Sequence, residues 1–302
     1  MTEITMAAGA AGFNWLPVYV AERAGILMRR GLALTIKRLG AVDKATAAVK
    51  SGEAHAAITP PEGAIRDNAA GGNLRMVGGN MNSVPMTLVA NPSIKHIKDL
   101  RGKILGTSSL TEGTAIYTME MLARHGLKYP GDYEFSVVGV HPARWKALQE
   151  GAIDAAVQPT PWNLLALDAG YSNLGEVPDY IPEIVFTALI VDRRWAAANR
   201  LTLVALISSL IEASRMIYDS ANDQLLIETM MELGQTDKGH ATRAIEEMRH
   251  KRAFARELEI PVTALAKSLE LMQKAGLADQ TTIATGPSTH DDSYRLEALR
   301  TL

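Results

Sequence analysis

Residues 107–114 contain the clearest candidate for an anion-binding segment. The members with hydroxyl side chains are Thr107, Ser108, Ser109, Thr111 and Thr114. The segment opens an expected helix, where free backbone N–H groups and the positive end of the helix dipole favour a carboxylate, sulfonate or phosphate. The same hydroxyl groups could act only as an N-cap of that helix. Glu112 would repel an anion in the cleft, so we expect it to cap the helix.

A second group of candidate residues follows a later expected strand. His141 and Arg144 open a helix, and an arginine there could bind an acid group through two parallel hydrogen bonds. Arg144 could equally cap the helix or lie on the surface. If the chain is an enzyme, His141 or Glu62 would transfer the proton and Arg144 would hold the carboxylate of the substrate.

A glycine-rich loop near the N-terminus supplies further candidate contacts. Gly12 would let the backbone approach a ligand closely. Phe13 and Trp15, with Asn14 between them, could stack on a flat or apolar group. Trp15 could instead be buried under the first helix. Asn82 lies in a later turn, which could hydrogen-bond a ligand or only shape the chain.

The elements that position these residues are repeated within the chain. Residues 48–61 (AVKSGEAHAAITPP) align without a gap with residues 147–160 (ALQEGAIDAAVQPT). Each segment is typical of an amphipathic helix that ends at a glycine, followed by a short buried strand that a proline terminates. Ligands bind beyond the carboxyl ends of such strands, so two walls of one crevice are predicted there. The wall residues are Pro60, Glu62, Gln158 and Trp162.

The order of the elements predicts an α/β protein of two lobes. Strand, loop, helix and strand alternate at the start of each lobe, which predicts a mostly parallel sheet flanked by helices in both. Two apolar runs, Met86–Ala90 and residues 184–191, are predicted to be crossover strands that form a hinge. The first lobe is then residues 1–90 plus 187–302, and residues 91–186 are inserted as the second lobe.

The chain beyond the second crossover is predicted to be helical. The helices are expected over residues 201–220, 223–233, 240–257 and 261–275, with start signals at Asp192, Thr202 and Thr263. The final segment, residues 287–302, is largely polar, and we expect it either to pack back on the protein or to fray.

Composition and charge exclude several classes of site. The chain has 302 residues, a formal net charge of -2 and no cysteine. Disulfides and thiolate chemistry are therefore excluded, and no strong attraction to nucleic acid is expected. No metal site and no cofactor is predicted, and no apolar run approaches the ~18 residues of a membrane span. No leader is visible at Met1, so the chain is cytoplasmic if Met1 is the native start and periplasmic or extracellular if a signal peptide was removed.

Short landmarks recur along the chain in a fixed order. They are LPVYVAERAG at residues 16–25, SGE at 51–53, DLRGK at 99–103, HPAR at 141–144, GAIDA at 151–155 and AGY at 169–171. In order and spacing they resemble the nitrate/sulfonate/taurine-type substrate-binding proteins of ABC importers, a family that includes the thiamine-pyrimidine synthases. The resemblance covers roughly residues 3–275 and implies a type II periplasmic-binding-protein fold with a hinged cleft.

The sequence departs from the pyrimidine-synthase branch of that family. The branch carries a lysine and a nearby histidine just after the strand that corresponds to residues 54–58, whereas residues 59–63 here contain neither. Its cysteine-rich motif cannot exist in a chain without cysteine. The resemblance therefore does not imply that chemistry for this chain.

Two functions from different classes fit this sequence. The first is a small-molecule binding protein of an ABC-type importer, which captures an organic anion or aromatic acid by hinge closure and presents it to a membrane permease. The alternative is a cytoplasmic decarboxylase, dehydratase or hydrolase of a small carboxylic acid, with the cleft as its active site. A regulatory ligand sensor ranks last, because no DNA-binding helix pair or basic patch accompanies the cleft.

Overall fold

The computed structural model describes residues 1–10 and 12–302, so position 11 of the glycine-rich loop lies outside the described residues. The strands are β1 (Thr2–Ala8), β2 (Leu32–Arg38), β3 (Ala56–Thr59), β4 (Leu74–Met81), β5 (Met86–Ala90), β6 (Ile104–Thr107), β7 (Glu134–Val137), β8 (Ala155–Pro159), β9 (Ser172–Glu176) and β10 (Thr187–Asp192). The helices are α1 (Leu16–Arg23), α2 (Ile26–Arg29), α3 (Val42–Ser51), α4 (Glu62–Ala69), α5 (Thr114–Ala123), α6 (His141–Gln149), α7 (Trp162–Asp168), α8 (Val177–Tyr180), α9 (Arg193–Ala198), α10 (Arg200–Ile217), α11 (Asp223–Gly234), α12 (Lys238–His250), α13 (Val262–Lys274), α14 (Gln280–Thr285) and α15 (Ser293–Leu299).

In the described residues the strands form two five-stranded sheets, ordered β2-β1-β3-β10-β4 and β7-β6-β8-β5-β9. Strand β1 pairs in parallel with β2 and β3, and β6 pairs in parallel with β7 and β8. Strand β10 in the first sheet and β5 in the second run antiparallel to both of their neighbours. The prediction of two mostly parallel sheets is therefore confirmed, with one antiparallel crossover strand in each.

The chain passes from the first sheet to the second at strand β5 and returns to the first sheet at strand β10. Strand β5 follows β4 of the first sheet but pairs with β8 of the second, and β10 follows β9 of the second sheet but pairs with β3 of the first. The boundary predicted after residue 90 assigned β5 to the first lobe, whereas this strand pairs within the second sheet. Its apolar run is fully buried, as in any central strand, so the sequence pattern does not show which sheet it joins.

The repeated segments occupy equivalent places in the two sheets. Strands β3 and β8 are each third in order, and each is preceded by a helix and a glycine in the left-handed region, Gly52 at φ 80 and Gly151 at φ 69. Both strands begin with two buried alanines, whose small side chains allow neighbouring helices to pack closely. The internal repeat therefore corresponds to the same helix and strand in each of the two sheets.

The starts of the C-terminal helices agree only partly with the sequence signals. Helix α9 has the predicted Asp192 as its N-cap, and the Asp192 carboxylate accepts hydrogen bonds from two backbone N–H groups. Helices α10 and α13 have Asn199 and Pro261 as their N-caps, and not the predicted Thr202 and Thr263. Propensity alone does not separate a cap from a hydroxyl residue inside the first turn.

The chain after α12 returns to the first sheet instead of continuing as a helix. The Ala255 N–H donates to the Asn80 carbonyl at 3.0 Å, so the helix predicted to reach residue 257 ends at His250. The polar C-terminal segment packs back as α15, and Thr301 Oγ1 lies 2.9 Å from Ser208 Oγ of α10. No single helix in residues 1–10 or 12–302 is long and apolar enough to cross a membrane.

Candidate functional site

A cavity lies between the two sheets, where the carboxyl ends of β1, β3, β6 and β7 meet. Its lining is Gly9, Ala10, Phe13, Asn14, Val42, Ile58, Pro60, Met86, Ser108, Gly113, Thr114, Val140, His141, Arg144, Phe186 and Thr187. The cavity volume is about 50 Å³, whereas one water needs roughly 10–15 Å³. The cavity therefore has room for a few water-sized groups, at the place where open α/β sheets bind ligands.

Arg144 is a buried cation at the wall of this cavity. Its exposed fraction is 2%, and its Nη1 donates to the Gly139 carbonyl at 3.4 Å. Within the described residues its Nε atom has no hydrogen-bond partner. Burial lowers the pKa of Arg144 to about 9, and no neighbouring acid in the described part of the chain counters this effect. An uncompensated buried cation is unfavourable, so the geometry favours an anion in the cavity.

His141 contributes a neutral imidazole to the same wall. Burial, followed by the charge of Arg144, lowers the pKa of His141 to about 3. Its ring lies edge-on to Phe13 at 5.8 Å and tilted against Trp162 at 4.5 Å, measured between ring centroids. A Cβ at Gly12 would overlap Nε2 of His141. Gly12 and Trp162 therefore lie behind the lining and position His141, which is unsuited to donate a proton near pH 7.

The hydroxyl residues that the sequence singled out divide into two groups. Ser108 and Thr114 line the cavity. Thr107 is buried behind them, where its Oγ1 donates to the Ser109 carbonyl at 2.9 Å and lies 3.1 Å from Thr114 Oγ1. The Thr111 N–H donates to Ser109 Oγ at 3.2 Å, outside the lining. The turn formed by Ser109 and Thr111 thus supports the segment, and Ser108 and Thr114 face the cavity.

Glu112 does not cap α5, contrary to the expectation from the sequence. The N-cap is Gly113 at φ 74. The Glu112 carboxylate instead accepts a hydrogen bond from Thr46 Oγ1 of the first lobe and pairs with Arg66, each at 3.2 Å. Burial raises the pKa of Glu112 to about 7. Glu62 is buried beside it, outside the cavity lining, so the geometry does not support Glu62 as a catalytic residue.

Asn14 and Thr187 are held in the lining by a residue behind them. Asn80 Nδ2 donates to the Asn14 carbonyl at 2.9 Å and to Thr187 Oγ1 at 3.0 Å. Asn80 is buried at the end of β4. This amide therefore joins the N-terminal loop to the second crossover strand at the edge of the cavity.

Three other predicted site residues lie away from the lining. Trp15 is fully buried in the core, as the packing interpretation proposed. Gln158 is fully buried in β8, and neither polar atom of its side chain bonds to a described residue. Asn82 Nδ2 donates to the Glu259 carbonyl at 2.8 Å, in a separate groove. In the part of the chain that the structure describes, no cluster of three or more His, Cys, Asp or Glu side chains could hold a metal ion.

Several lining residues were not predicted from the sequence. They are Val42, Ile58, Met86, Val140, Phe186 and Thr187, whereas Gly9, Ala10 and Gly113 belong to the two loop segments that the sequence indicated. Met86 and Thr187 are the first residues of the two crossover strands, and both strands were recognised in the sequence. Because these strands were predicted to form the hinge of the cleft, the first residue of each could also have been predicted to line it.

Comparison with known proteins identifies similar chains. The sequence matches the family model described as NMT1/THI5 like over residues 12–220. A search of curated protein sequences gives no significant match. The structure resembles the periplasmic nitrate-binding protein NrtA from Synechocystis PCC 6803, with a TM-score of 0.85 and 13% identity over 100% of this chain and 89% of that chain.

Two sulfonate-binding proteins are also similar in structure. The alkanesulfonate-binding protein SsuA from Xanthomonas axonopodis pv. citri, bound to MOPS, gives a TM-score of 0.79 and 16% identity over 96% of this chain and 98% of that chain. The periplasmic aliphatic sulphonate binding protein SsuA from Escherichia coli gives a TM-score of 0.72 and 17% identity over 94% of this chain and 95% of that chain.

The structural similarity confirms the fold that the resemblance implied, two α/β lobes of the periplasmic-binding-protein type. At sequence identities this low, structural similarity shows the fold of the chain but does not identify its ligand. The family match covers 209 of the 302 residues and includes Phe13, Ser108, His141 and Arg144 of the cavity wall. The chain belongs to the NMT1/THI5-like family.

Proposed function

We propose that this chain is the small-anion-binding protein of an ABC-type importer. The observation that carries the proposal is Arg144, a cation buried at the cavity wall whose charge no described acid compensates. An anion in the cavity would supply the missing charge and accept hydrogen bonds from the guanidinium group. The structural relatives described as nitrate-binding and sulfonate-binding proteins support a ligand of this charge.

The rest of the lining favours an organic anion with a compact apolar part. Phe13 and Phe186 stack with their ring centroids 6.1 Å apart, and Met86 and Pro60 add apolar surface. The hydroxyl groups and backbone N–H groups of the lining supply a few polar contacts, as is usual in small-molecule sites. A cavity of about 50 Å³ fits a short-chain monocarboxylate or sulfonate, and a single-ring acid would need the lobes to close less far, because a cavity that holds one benzene ring is about 150 Å³.

Capture would proceed by closure of the two lobes around this anion. We take the first lobe as residues 1–82 plus 187–302 and the second as residues 83–186, because β5 pairs in the second sheet. Residues from both lobes line the cavity, so the ligand makes its full set of contacts only in the closed form and shifts the equilibrium toward it. In this role the chain is exported and presents the closed form to a membrane permease.

Calorimetric titration with nitrate, methanesulfonate and benzoate tests the proposal. We expect Arg144→Ala to weaken binding by about 30-fold or more, since losing one partner of a buried charge pair costs roughly 2–5 kcal/mol. The control variant Arg194→Ala removes an arginine whose side chain is 74% exposed and should bind as the wild type does. Equal affinities of wild type and Arg144→Ala would contradict the proposal.

Native mass spectrometry of protein purified from its host gives an independent test. An acid that co-purifies and is released unchanged on denaturation supports a binding role and identifies the ligand. Turnover of the co-purified acid would instead favour the enzyme alternative. The same preparation shows by N-terminal sequencing whether the exported form has been processed.

A further inference from the structure

Two carboxyl groups from opposite lobes are buried together where the lobes meet. Glu62 stands in the first turn of α4 and Glu112 in the segment before α5, with exposed fractions of 1% and 2%. Glu112 accepts a hydrogen bond from Thr46 and pairs with Arg66 of the first lobe. A Cβ at Gly63 would lie 2.5 Å from Glu112 Oε1, so this carboxylate packs directly on the α4 backbone.

The charges around this pair do not balance if both carboxyl groups are ionised. Arg66 supplies a positive charge, but its side chain is 33% exposed, so water screens its interaction with the two carboxyl groups. Asp43 of α3 adds negative charge that acts on Glu112. Tyr117 of α5 is fully buried near Glu62, and neither its hydroxyl nor Glu62 Oε2 has a hydrogen-bond partner in the described residues.

We propose that closing the cleft takes up a proton at the Glu62–Glu112 pair. This inference rests on the lobe closure of the proposed function. In an open cleft the two groups lie on different lobes, in contact with water, and both are ionised. In the closed form they share one dry site, where two carboxylates cannot both stay charged at low cost. The proton comes from a buffer acid in the solvent and forms an O–H bond on one carboxylate oxygen of the pair.

The direction of the pH effect follows from the burial of both groups. Burial, and then the Glu112 charge, raise the pKa of Glu62 to about 8, and burial raises the pKa of Glu112 to about 7, from the ordinary value of 4.5. The closed form therefore binds more protons than the open form between pH 4.5 and 8. Closure is favoured as the pH falls and is weakened as it rises through 7 to 8.

The pair is connected to the cavity through one short segment. Glu112 lies directly before Gly113 and Thr114, which line the cavity, and Ser108 of the same segment also lines it. Fixing the Glu112 carboxylate on α4 therefore fixes the position of these lining residues. Anion affinity is expected to fall by about tenfold per pH unit for each proton taken up.

Carboxyl titration of the whole protein tests the proton directly. Glutamate labelled with ¹³C at the side-chain carboxyl is followed by NMR from pH 4 to 9, without anion and with excess benzoate. With benzoate we expect at least one resonance with a midpoint near pH 7 to 8, which Glu62→Gln removes, and without anion this midpoint should move toward the ordinary glutamate value because the open form is populated. The control Glu150→Gln replaces a carboxyl whose side chain is 59% exposed and should leave that resonance unchanged. A set of glutamates that all titrate below about pH 5.5 in both samples overturns the inference.

Calorimetry separates this inference from the proposed function. Benzoate is titrated at pH 7 in two buffers of different ionisation enthalpy, so that a difference in heat reports proton uptake. Uptake in the wild type and its loss in Glu62→Gln support the inference, whereas binding with no uptake overturns it and leaves the proposed function intact. If none of the trial anions binds, the proposed function fails, and the NMR titration still decides whether the pair holds a proton. The wild-type titration decides this even if a variant does not fold.

Discussion

Replacing Arg144 by methionine should stabilise the ligand-free protein while it abolishes anion binding. The pKa of Arg144 is lowered from 12.5 to about 9 by burial, and each pKa unit corresponds to about 1.36 kcal/mol. In the closed arrangement, keeping this arginine charged at pH 7 therefore costs on the order of 5 kcal/mol, which is an upper limit for the ligand-free protein because opening of the cleft would expose Arg144 to water. Methionine fills a similar volume without the charge, so we expect a gain of about 1–4 kcal/mol in the free energy of unfolding.

Urea unfolding measures both halves of this prediction. Urea is uncharged, so the denaturant itself adds no anion that could fill the cavity. In buffer without added trial anion, Arg144→Met should unfold at higher urea concentration than the wild type. Added benzoate should stabilise the wild type, by about 2.7 kcal/mol at 100 times the dissociation constant, and should leave Arg144→Met unchanged.

The opposite pattern would refute the reasoning about the buried charge. If Arg144→Met is less stable than the wild type and benzoate stabilises both proteins equally, Arg144 is a structural residue, and its charge is compensated by groups or solvent that do not involve the anion. Arg194→Met serves as the matched control, because this side chain is exposed and its replacement should change neither stability nor the response to benzoate.

Three further predictions concern positions around the site. Gly12→Ala places a Cβ on Nε2 of His141. We expect it to lower the free energy of unfolding in urea by roughly 1–3 kcal/mol and to weaken benzoate binding. An unchanged affinity for benzoate would show that the His141 ring can move away. The folded-state pKa of His141 is about 3, so the unfolded chain binds the extra proton and stability falls as the pH drops from 6.5 toward 3. His141→Gln should reduce that slope by up to about 1.4 kcal/mol per pH unit between pH 5 and 6, and identical slopes would contradict the assigned burial. Asp192→Ala removes the cap of α9 and should cost about 1 kcal/mol with no change in benzoate affinity, so an affinity change would point to coupling between α9 and the cleft.

Elements defined by local patterns were predictable from the sequence. The repeat at residues 48–61 and 147–160 predicted two equivalent strands, one in each sheet, but only the strand end at Ile58 and Pro60 lines the cavity. The crossover strands were recognisable as apolar runs. The sheet that β5 joins was not predictable, because a strand buried on both faces has the same pattern in either sheet. Its partner depends on the packing of the whole chain.

Several cavity residues, including the charged Arg144, were predictable from the sequence, but the partners of Glu112 were not. Phe13, Asn14, Pro60 and Arg144 were named from their place after a strand or at a helix start, and they lie at the cavity. Glu112 was expected to cap its own helix, yet its carboxylate bonds to the opposite lobe. Sequence spacing describes neighbours within one element, whereas the partner of Glu112 lies 46 positions away at Arg66.

If the cleft closes on an anion as proposed, its buried charges would couple the binding of that anion to the uptake of a proton. Arg144 is buried without an acid on one wall, and Glu62 and Glu112 are buried with too little positive charge where the lobes meet. Each arrangement costs free energy in the closed form, because buried charges are stable only when they are paired or neutralised. An anion at Arg144 offsets the first cost and a proton on the carboxyl pair offsets the second. Closure would then take up one anion and one proton, which together are equivalent to a neutral acid. The affinity of the protein for that acid would be greatest below pH 7.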